Sequence, residues 1–447
     1  MTTPIWDFLE SCRREGRARF HMPGHKGRGP LGCEQWDLTE IPGADSLYEA
    51  AGIIAESEGH AAALFGSAAT FYSTEGSSQC VKAMLHLALQ CRPAGTPPVI
   101  LAARNVHKSF VHAAALLDFE PAWLWPEEES ASLCACPVTA EGLDRALSAL
   151  PAPPAAVYVT SPDYLGNFQD VPALAGICRR HGTLLLADNA HGAYLRFLSP
   201  SLHPVDQGAD LVCDSAHKTL PVLTGGAYLH VSKAAPAALR ERARAALALF
   251  GSTSPSYLTL ASLDLCNAWL AGEGPARIRA AAGGLAEVKR ELSARGWAFA
   301  GEEPLKLTFD AAASGWAGSA LADLLRAGGA EPEYADRDHV VLMASGATDE
   351  AALRTAAAAP GPAAPGPARS RPAPPPARGE RALSVREALF APQETVPAEE
   401  SLGRICGAPT VSCPPAVPIA VTGERIGPEA LALFRYYGVK TVDVLKD

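Results

Sequence analysis

No run of 18 or more apolar residues occurs in the 447-residue sequence, so nothing in it reads as a membrane-spanning helix. The opening Met1-Thr-Thr-Pro-Ile-Trp-Asp7 lacks the basic stretch followed by an apolar one that marks a secretory leader. These two absences give the expectation of a cytoplasmic protein. Positive charge is also scarce: 38 lysines and arginines stand against 48 aspartates and glutamates, a formal net charge of −10. That balance argues against nucleic acid or a membrane surface as partner, while a local basic pocket for a phosphate stays open. The 11 cysteines form no two matched Cys-x-x-Cys pairs and no Cys/His zinc spacing, so no metal is expected. Cys134 and Cys136 allow a redox device, but two surface thiols near a loop are the plainer reading.

What is present is a repeated alternation. Between about residues 97 and 231, short apolar runs are separated by Ala/Arg/Leu-rich stretches: Pro98-Val-Ile-Leu101, Ala156-Val-Tyr-Val159, Thr183-Leu-Leu-Leu-Ala187 and Leu211-Val-Cys213. Runs too short for helices, spaced in this way, predict βαβ units and an α/β fold with a mostly parallel sheet. Each run ends in polar residues: Arg104-Asn-Val-His-Lys108, Thr160-Ser-Pro-Asp-Tyr164, Asp188-Asn-Ala-His191 and Asp214-Ser-Ala-His-Lys218. Ligands of open α/β sheets collect at the carboxyl ends of strands, so four polar ends in series mark one site. The chain is expected to divide into an N-terminal arm and large domain (1–270), a smaller α+β domain (271–355), an Ala/Pro-rich linker (356–380) and a C-terminal lobe (381–447). The smaller domain carries weak strands at 305–309 and 339–343, and the lobe a helix from Pro428 to Tyr437.

Lys218, at the end of a buried strand, stands where an amine would be desolvated and able to attack an aldehyde. Taken alone, a lysine in that position is more often a solvated loop residue. Thirty positions earlier, Asp188 closes another strand, and a buried carboxylate there holds a pyridinium nitrogen protonated, although strand-end aspartates also cap helices and bind metals. Gly76-Ser77-Ser78 precedes a helix-like Val81–Leu89, a place where backbone N–H groups and the helix dipole receive a phosphate, or where a serine simply caps the helix. His107 follows the strand at 98–102, positioned to lie on an aromatic ring; alone it reads as a structural histidine. The four together, in this order, form the pattern of a pyridoxal-phosphate (PLP) site.

The sequence resembles the Orn/Lys/Arg decarboxylase family of fold-type-I PLP enzymes, in the shorter bacterial form without an N-terminal wing domain. The resemblance is carried by Phe20-His-Met-Pro-Gly-His-Lys-Gly27, Asp37-Leu-Thr-Glu-Ile-Pro-Gly43, Ala63-Leu-Phe-Gly66, Arg104-Asn-Val-His-Lys-Ser109, Asp188-Asn-Ala-His-Gly-Ala193, Ser215-Ala-His-Lys-Thr-Leu220 and Ser252-Thr-Ser-Pro-Ser-Tyr257. Cys413-Pro-Pro-Ala-Val-Pro-Ile419 and Gly423-Glu424 are similar to its C-terminal segment. It implies an aspartate-aminotransferase-like large domain and decarboxylation of lysine, arginine or ornithine to a polyamine-pathway amine. Lys218 would form the Schiff base, Asp188 pair with the pyridine nitrogen and His107 stack on the ring. Gly76, Ser77, Ser78, Ser215 and His217 would hold the phosphate, with Ser252 or Thr253 from a second subunit, so a homodimer or higher homo-oligomer with shared active sites follows. His191 would lie at the ring edge and Tyr164 at the cofactor mouth; His217 or Lys218 would return the proton to Cα. Glu424 and Asp163 are the candidates for a substrate's distal cation. His21, His25 and Lys26 fit an interface arm better than a site.

The family commonly carries glutamate where this chain has Asn189, histidine at Tyr194, glutamine at Gly225 and asparagine at Glu75. A carboxylate beside a bound phosphate is repulsive unless it points away. Two rival readings stand beside decarboxylation. One is an aminotransferase or lyase on the same fold, with Arg337 or Arg354 clamping the substrate carboxylate. The other is a non-catalytic PLP-binding homologue.

Overall fold

The computed structural model describes residues 1–126, 133, 135–361, 363, 374–411 and 417–446. Cys134, residues 362 and 364–373 of the expected linker and residues 413–416 of the C-terminal motif lie outside the described residues. Seven strands carry the α/β part: β1 (Ala69–Ser73), β2 (Val99–Ala103), β3 (Glu120–Leu124), β4 (Ala156–Thr160), β5 (Leu184–Asp188), β6 (Leu211–Asp214) and β7 (Ala227–Val231). The four expected apolar runs are β2, β4, β5 and β6, each within one or two residues of the expected bounds. The chain divides into two compact units, 1–93 with 184–279, and 94–183 with 280–447.

In the first unit the strand order is β1-β7-β6-β5. β5 and β6 are parallel, with Asp188 opposite Cys213, whereas β7 runs antiparallel to both β6 and β1. All residues of β6 and β7 are buried, as continuous apolar runs are when a sheet is covered on both faces. The 15-residue helix Ser77–Cys91 packs along β7 and β6.

In the second unit β4, β2 and β3 lie in that order, all parallel. Pro121 sits in β3, at the end of that order, where a missing N–H costs no ladder bond on the outer side. A four-stranded antiparallel sheet follows: β8 (Phe299–Ala300), β9 (Lys306–Asp310), β10 (Tyr334–Ala335) and β11 (His339–Met343), in the order β10-β11-β9-β8. β9 and β11 are the two weak strands expected at 305–309 and 339–343. The C-terminal residues form three two-stranded ribbons and the helix Pro428–Tyr437, whose start is set by Pro428 in its first turn and whose end by Gly438 at φ 71°. Among the described residues no helix is long and apolar enough to cross a membrane.

Candidate active site

In the first unit, the ends of β5 and β6 and the start of helix Ser77–Cys91 bring together most of the residues expected to act. Asp188 is 3% exposed; its Oδ1 accepts from the Ala190 N–H at 3.2 Å and faces the Cys213 thiol at 3.5 Å. Lys218 lies in the single-turn helix Ala216–Thr219, where Ala216 and Thr219 face the core and Lys218 faces out. The expected desolvated amine is therefore corrected: Lys218 is exposed in the chain, and its Nζ lies 3.1 Å from Nε2 of the buried His191. The Nδ1–H of His217 donates to the Gly226 carbonyl at 2.9 Å, which fixes the ring.

Ser77 and Ser215 meet through a 2.7 Å hydroxyl–hydroxyl hydrogen bond. Helix Ser77–Cys91 has glycine at its N-cap, so no side chain caps its first-turn N–H groups. Gly76 takes φ 71°, a left-handed conformation that favours glycine, and donates its N–H to Gly225 at 2.8 Å. A Cβ at Gly225 would come within 2.7 Å of the Thr74 carbonyl, so the glycine found there in place of glutamine is what this close approach requires. Glu75 is exposed, and its carboxylate is not drawn into the loop. Uncapped N–H groups, two paired hydroxyls and a buried, partnerless Thr74 Oγ1 beside them make a donor set that fits a phosphate. Ser252 and Thr253, in the same unit, are exposed.

The ends of β5 and β6 are linked a second time by a residue that the sequence reading passed over. Asp214, fully buried, accepts from Asn189 Nδ2 at 2.7 Å on one oxygen and from the Nε2 atoms of His203 and His230, each at 3.0 Å, on the other. Its only sequence signal is its place in the polar end of β6.

In the second unit, His107 caps helix Lys108–Leu117: its Nδ1 accepts from the Ser109 N–H, which fixes the ring and puts its proton on Nε2. The two acidic candidates for the substrate's distal cation are committed elsewhere. Glu424 accepts both terminal nitrogens of Arg104, at 2.7 and 2.8 Å, and the Val421 N–H at 2.9 Å; Arg104 is wholly buried between the rings of Trp123 and Trp125. Asp163, 4% exposed, closes its own turn by accepting the backbone and side-chain N–H groups of Asn167, both at 2.9 Å. Burial pushes its pKa up, against the pull of Asn167 and Lys306. Neither carboxylate is offered to a ligand. Tyr164 donates its hydroxyl to Glu333 at 3.0 Å.

The remaining candidates make contacts of their own. Arg337 stacks on Tyr436 at 4.2 Å, and Arg354 pairs with Glu350 along one exposed helix face, so neither presents itself as a carboxylate clamp. In the arm, His25 bonds Asp37 at 3.1 Å and accepts from the Gly27 N–H, while Lys26 donates to the His21 carbonyl at 2.6 Å.

The model of the family "Orn/Lys/Arg decarboxylase, major domain" matches residues 3–311. The chain belongs to this family. It is 34% identical over 280 residues to the uncharacterized protein YaaO of Bacillus subtilis, a match covering 60% of this chain and 57% of YaaO. With the arginine decarboxylase of Halalkalibacterium halodurans it is 28% identical over 463 residues, covering 97% of this chain and 93% of that one. Lysine decarboxylase A from Pseudomonas aeruginosa superposes with a TM-score of 0.79 at 20% identity, over 99% of this chain and 80% of that one. Sphingomonas wittichii serine palmitoyltransferase gives 0.54 at 14% identity, over 80% and 82%. These structural likenesses establish the fold, the PLP-dependent transferase-like fold of type I.

Proposed function

We propose that this chain is a PLP-dependent decarboxylase of a basic amino acid, lysine, arginine or ornithine. The observation that carries the reading is the gathering of Asp188, His191, Ser215 and Lys218 at the ends of two paired strands, with Ser77 bonded to Ser215. Family membership and a relative named arginine decarboxylase that aligns over nearly the whole chain support the reaction class.

PLP, when bound, supplies an electron sink for the pair left behind as carbon dioxide departs. The chain's own residues do the rest. Lys218 is the amine to which the cofactor would attach, and its exposure leaves it accessible. Asp188, buried and acceptor-only when ionised, holds a proton at the pyridine nitrogen. Ser77, Ser78, Ser215 and the helix N-terminus hold the phosphate. His107, its ring fixed by the cap, offers a flat face to the cofactor and a proton at Nε2. His191, beside Lys218 Nζ, takes or returns a proton at that nitrogen. Decarboxylation needs the substrate carboxylate loosely held, because a tight clamp stabilises the carboxylate charge of the ground state more than the transition state, in which that charge is being lost; the engagement of Arg337 and Arg354 agrees with this. A homodimer in which a second copy adds Ser252 or Thr253 belongs to the same reading, and both residues are exposed for such a role. Incubation of PLP-loaded protein with each amino acid, followed by chromatography for cadaverine, agmatine and putrescine, tests the reading and names the substrate. Cofactor uptake with no amine from any of the three would overturn it.

A further inference from the structure

We propose that Asp214 is the positioning residue of this site, tying the end of β5, with Asp188 and His191, to the end of β6, with Ser215, His217 and Lys218. The proposal rests on the reading that these residues hold PLP. Regular pairing of β5 with β6 stops at Asp188 opposite Cys213. Beyond it the next links are Asn189 N–H to the Cys213 carbonyl at 2.9 Å and Asn189 Nδ2 to Asp214 Oδ1 at 2.7 Å. The side-chain bond thus joins the residue after Asp188 to the residue before Ser215.

Asp214 is itself held from behind. Its Oδ2 accepts from His203 and His230, and all four side chains in the cluster are 0% exposed. Nδ1 of His203 accepts from the Val205 N–H, so its single proton is on Nε2, facing Asp214. Burial pushes the His230 pKa down, against the pull of Asp214; its Nδ1 meets Thr70 Oγ1 at 2.8 Å, and Thr70 meets Ser67 at 2.8 Å. Burial by itself would raise the Asp214 pKa, but the two imidazoles outweigh it and carry the carboxyl far below its ordinary value. Asp214 is therefore an ion with three donors aimed at it. His203, Asp214 and His230 are also of metal-ligand type and lie close together. Both Nδ1 atoms are engaged, that of His203 by the Val205 N–H and that of His230 by Thr70, and both Nε2 atoms meet Asp214, so the three form a hydrogen-bonded cluster.

Two further facts tie the cluster to the site. A Cβ on residue 192 would lie 2.0 Å from Asn189 Oδ1, so Gly192 makes the room in which the amide turns towards Asp214. The glutamate that the family commonly carries at 189 would set a second carboxylate against Asp214, so the amide at Asn189 is the complement of the carboxylate at Asp214. Reacting groups displaced by about 1 Å lose on the order of a hundredfold in rate, which is why a tie between two strand ends matters to function.

The test compares wild type with Asn189→Ala, Asn189→Glu, Asp214→Asn and the double variant Asn189→Glu/Asp214→Asn. Three quantities are measured: the melting temperature of the cofactor-free protein, PLP affinity by fluorescence titration, and the fraction of Lys218 labelled by PLP after borohydride reduction. Asn189→Ala leaves the His–Asp–His half intact. It is expected to stay folded but to melt below wild type, because a buried hydrogen bond is lost, and, with the two strand ends no longer tied, to bind PLP about tenfold or more weakly and to label poorly at Lys218. Asn189→Glu is expected to bind at least as weakly, and the double variant more tightly than either of its single variants. The proposal is overturned if Asn189→Ala melts below wild type yet keeps PLP affinity and labelling within about twofold of it, since the tie would then be structural only. It is equally overturned if the double variant shows no recovery. If wild type itself takes up no PLP at Lys218, the cofactor reading falls first and this proposal with it.

Discussion

Arg104 and Glu424, 320 positions apart, form a buried two-point ion pair: the guanidinium at the end of β2 lies between Trp123 and Trp125 and grips the carboxylate of the C-terminal lobe. Removal of one member leaves the other as an uncompensated buried charge, a loss of about 3–5 kcal/mol. Glu424→Ala is therefore expected to lower stability by that amount in urea unfolding while leaving the preference among lysine, arginine and ornithine unchanged. A loss under about 1 kcal/mol, the size of a surface pair, together with an altered preference, would return Glu424 to a substrate role.

Ser77 and Ser215 share a hydrogen bond and face the same proposed phosphate. Each change to alanine is expected to weaken PLP binding by about 1 kcal/mol, roughly fivefold. Because the two hydroxyls orient each other, the double variant is expected to lose less than the sum of the two single losses. Equilibrium dialysis of the three variants measures this; strict additivity would show that the hydroxyls act independently.

His339 gives a pH prediction in the smaller sheet. Burial pushes its pKa down, but the Asp336 carboxylate, 3.7 Å from Nδ1, with Asp310 and Asp338 adding to it, carries it above the ordinary 6.5. A raised folded-state pKa means that the contribution is fully present below 6.5 and is lost as pH rises through the folded value. The difference in urea midpoint between wild type and His339→Gln is expected to shrink from about pH 6 to about pH 8. A difference that stays constant or grows over that range would contradict the assignment.

Much of the fold was legible because buried parallel strands are written as short apolar runs, as β2, β4, β5 and β6 are, and the polar residues that follow β5 and β6 hold the candidate site. β1, β3 and β7 were not read: Ala69-Thr-Phe-Tyr-Ser73 and Glu120-Pro-Ala-Trp-Leu124 mix polar and apolar residues, and Ala227-Tyr-Leu-His-Val231 has a histidine within its apolar run. Side-chain identity located Asp188, Ser215 and Lys218, but pairing is a property of three dimensions. Glu424 and Asp163 were expected to await a substrate because their sequence neighbourhoods do not show Arg104 or the Asn167 turn. Asp214 was passed over for the same reason: its three donors come from residues 189, 203 and 230. Lys218 reads as buried beside a buried strand, yet a single helical turn is enough to swing it outward.

The most direct measurement is release of carbon dioxide from carboxyl-labelled lysine, arginine and ornithine by PLP-loaded wild type and by Lys218→Ala. Release from at least one of the three by wild type, and none by the variant, is the predicted result. Equal release by both proteins would remove Lys218 from the chemistry, and no release by wild type from any of the three would contradict the decarboxylase assignment.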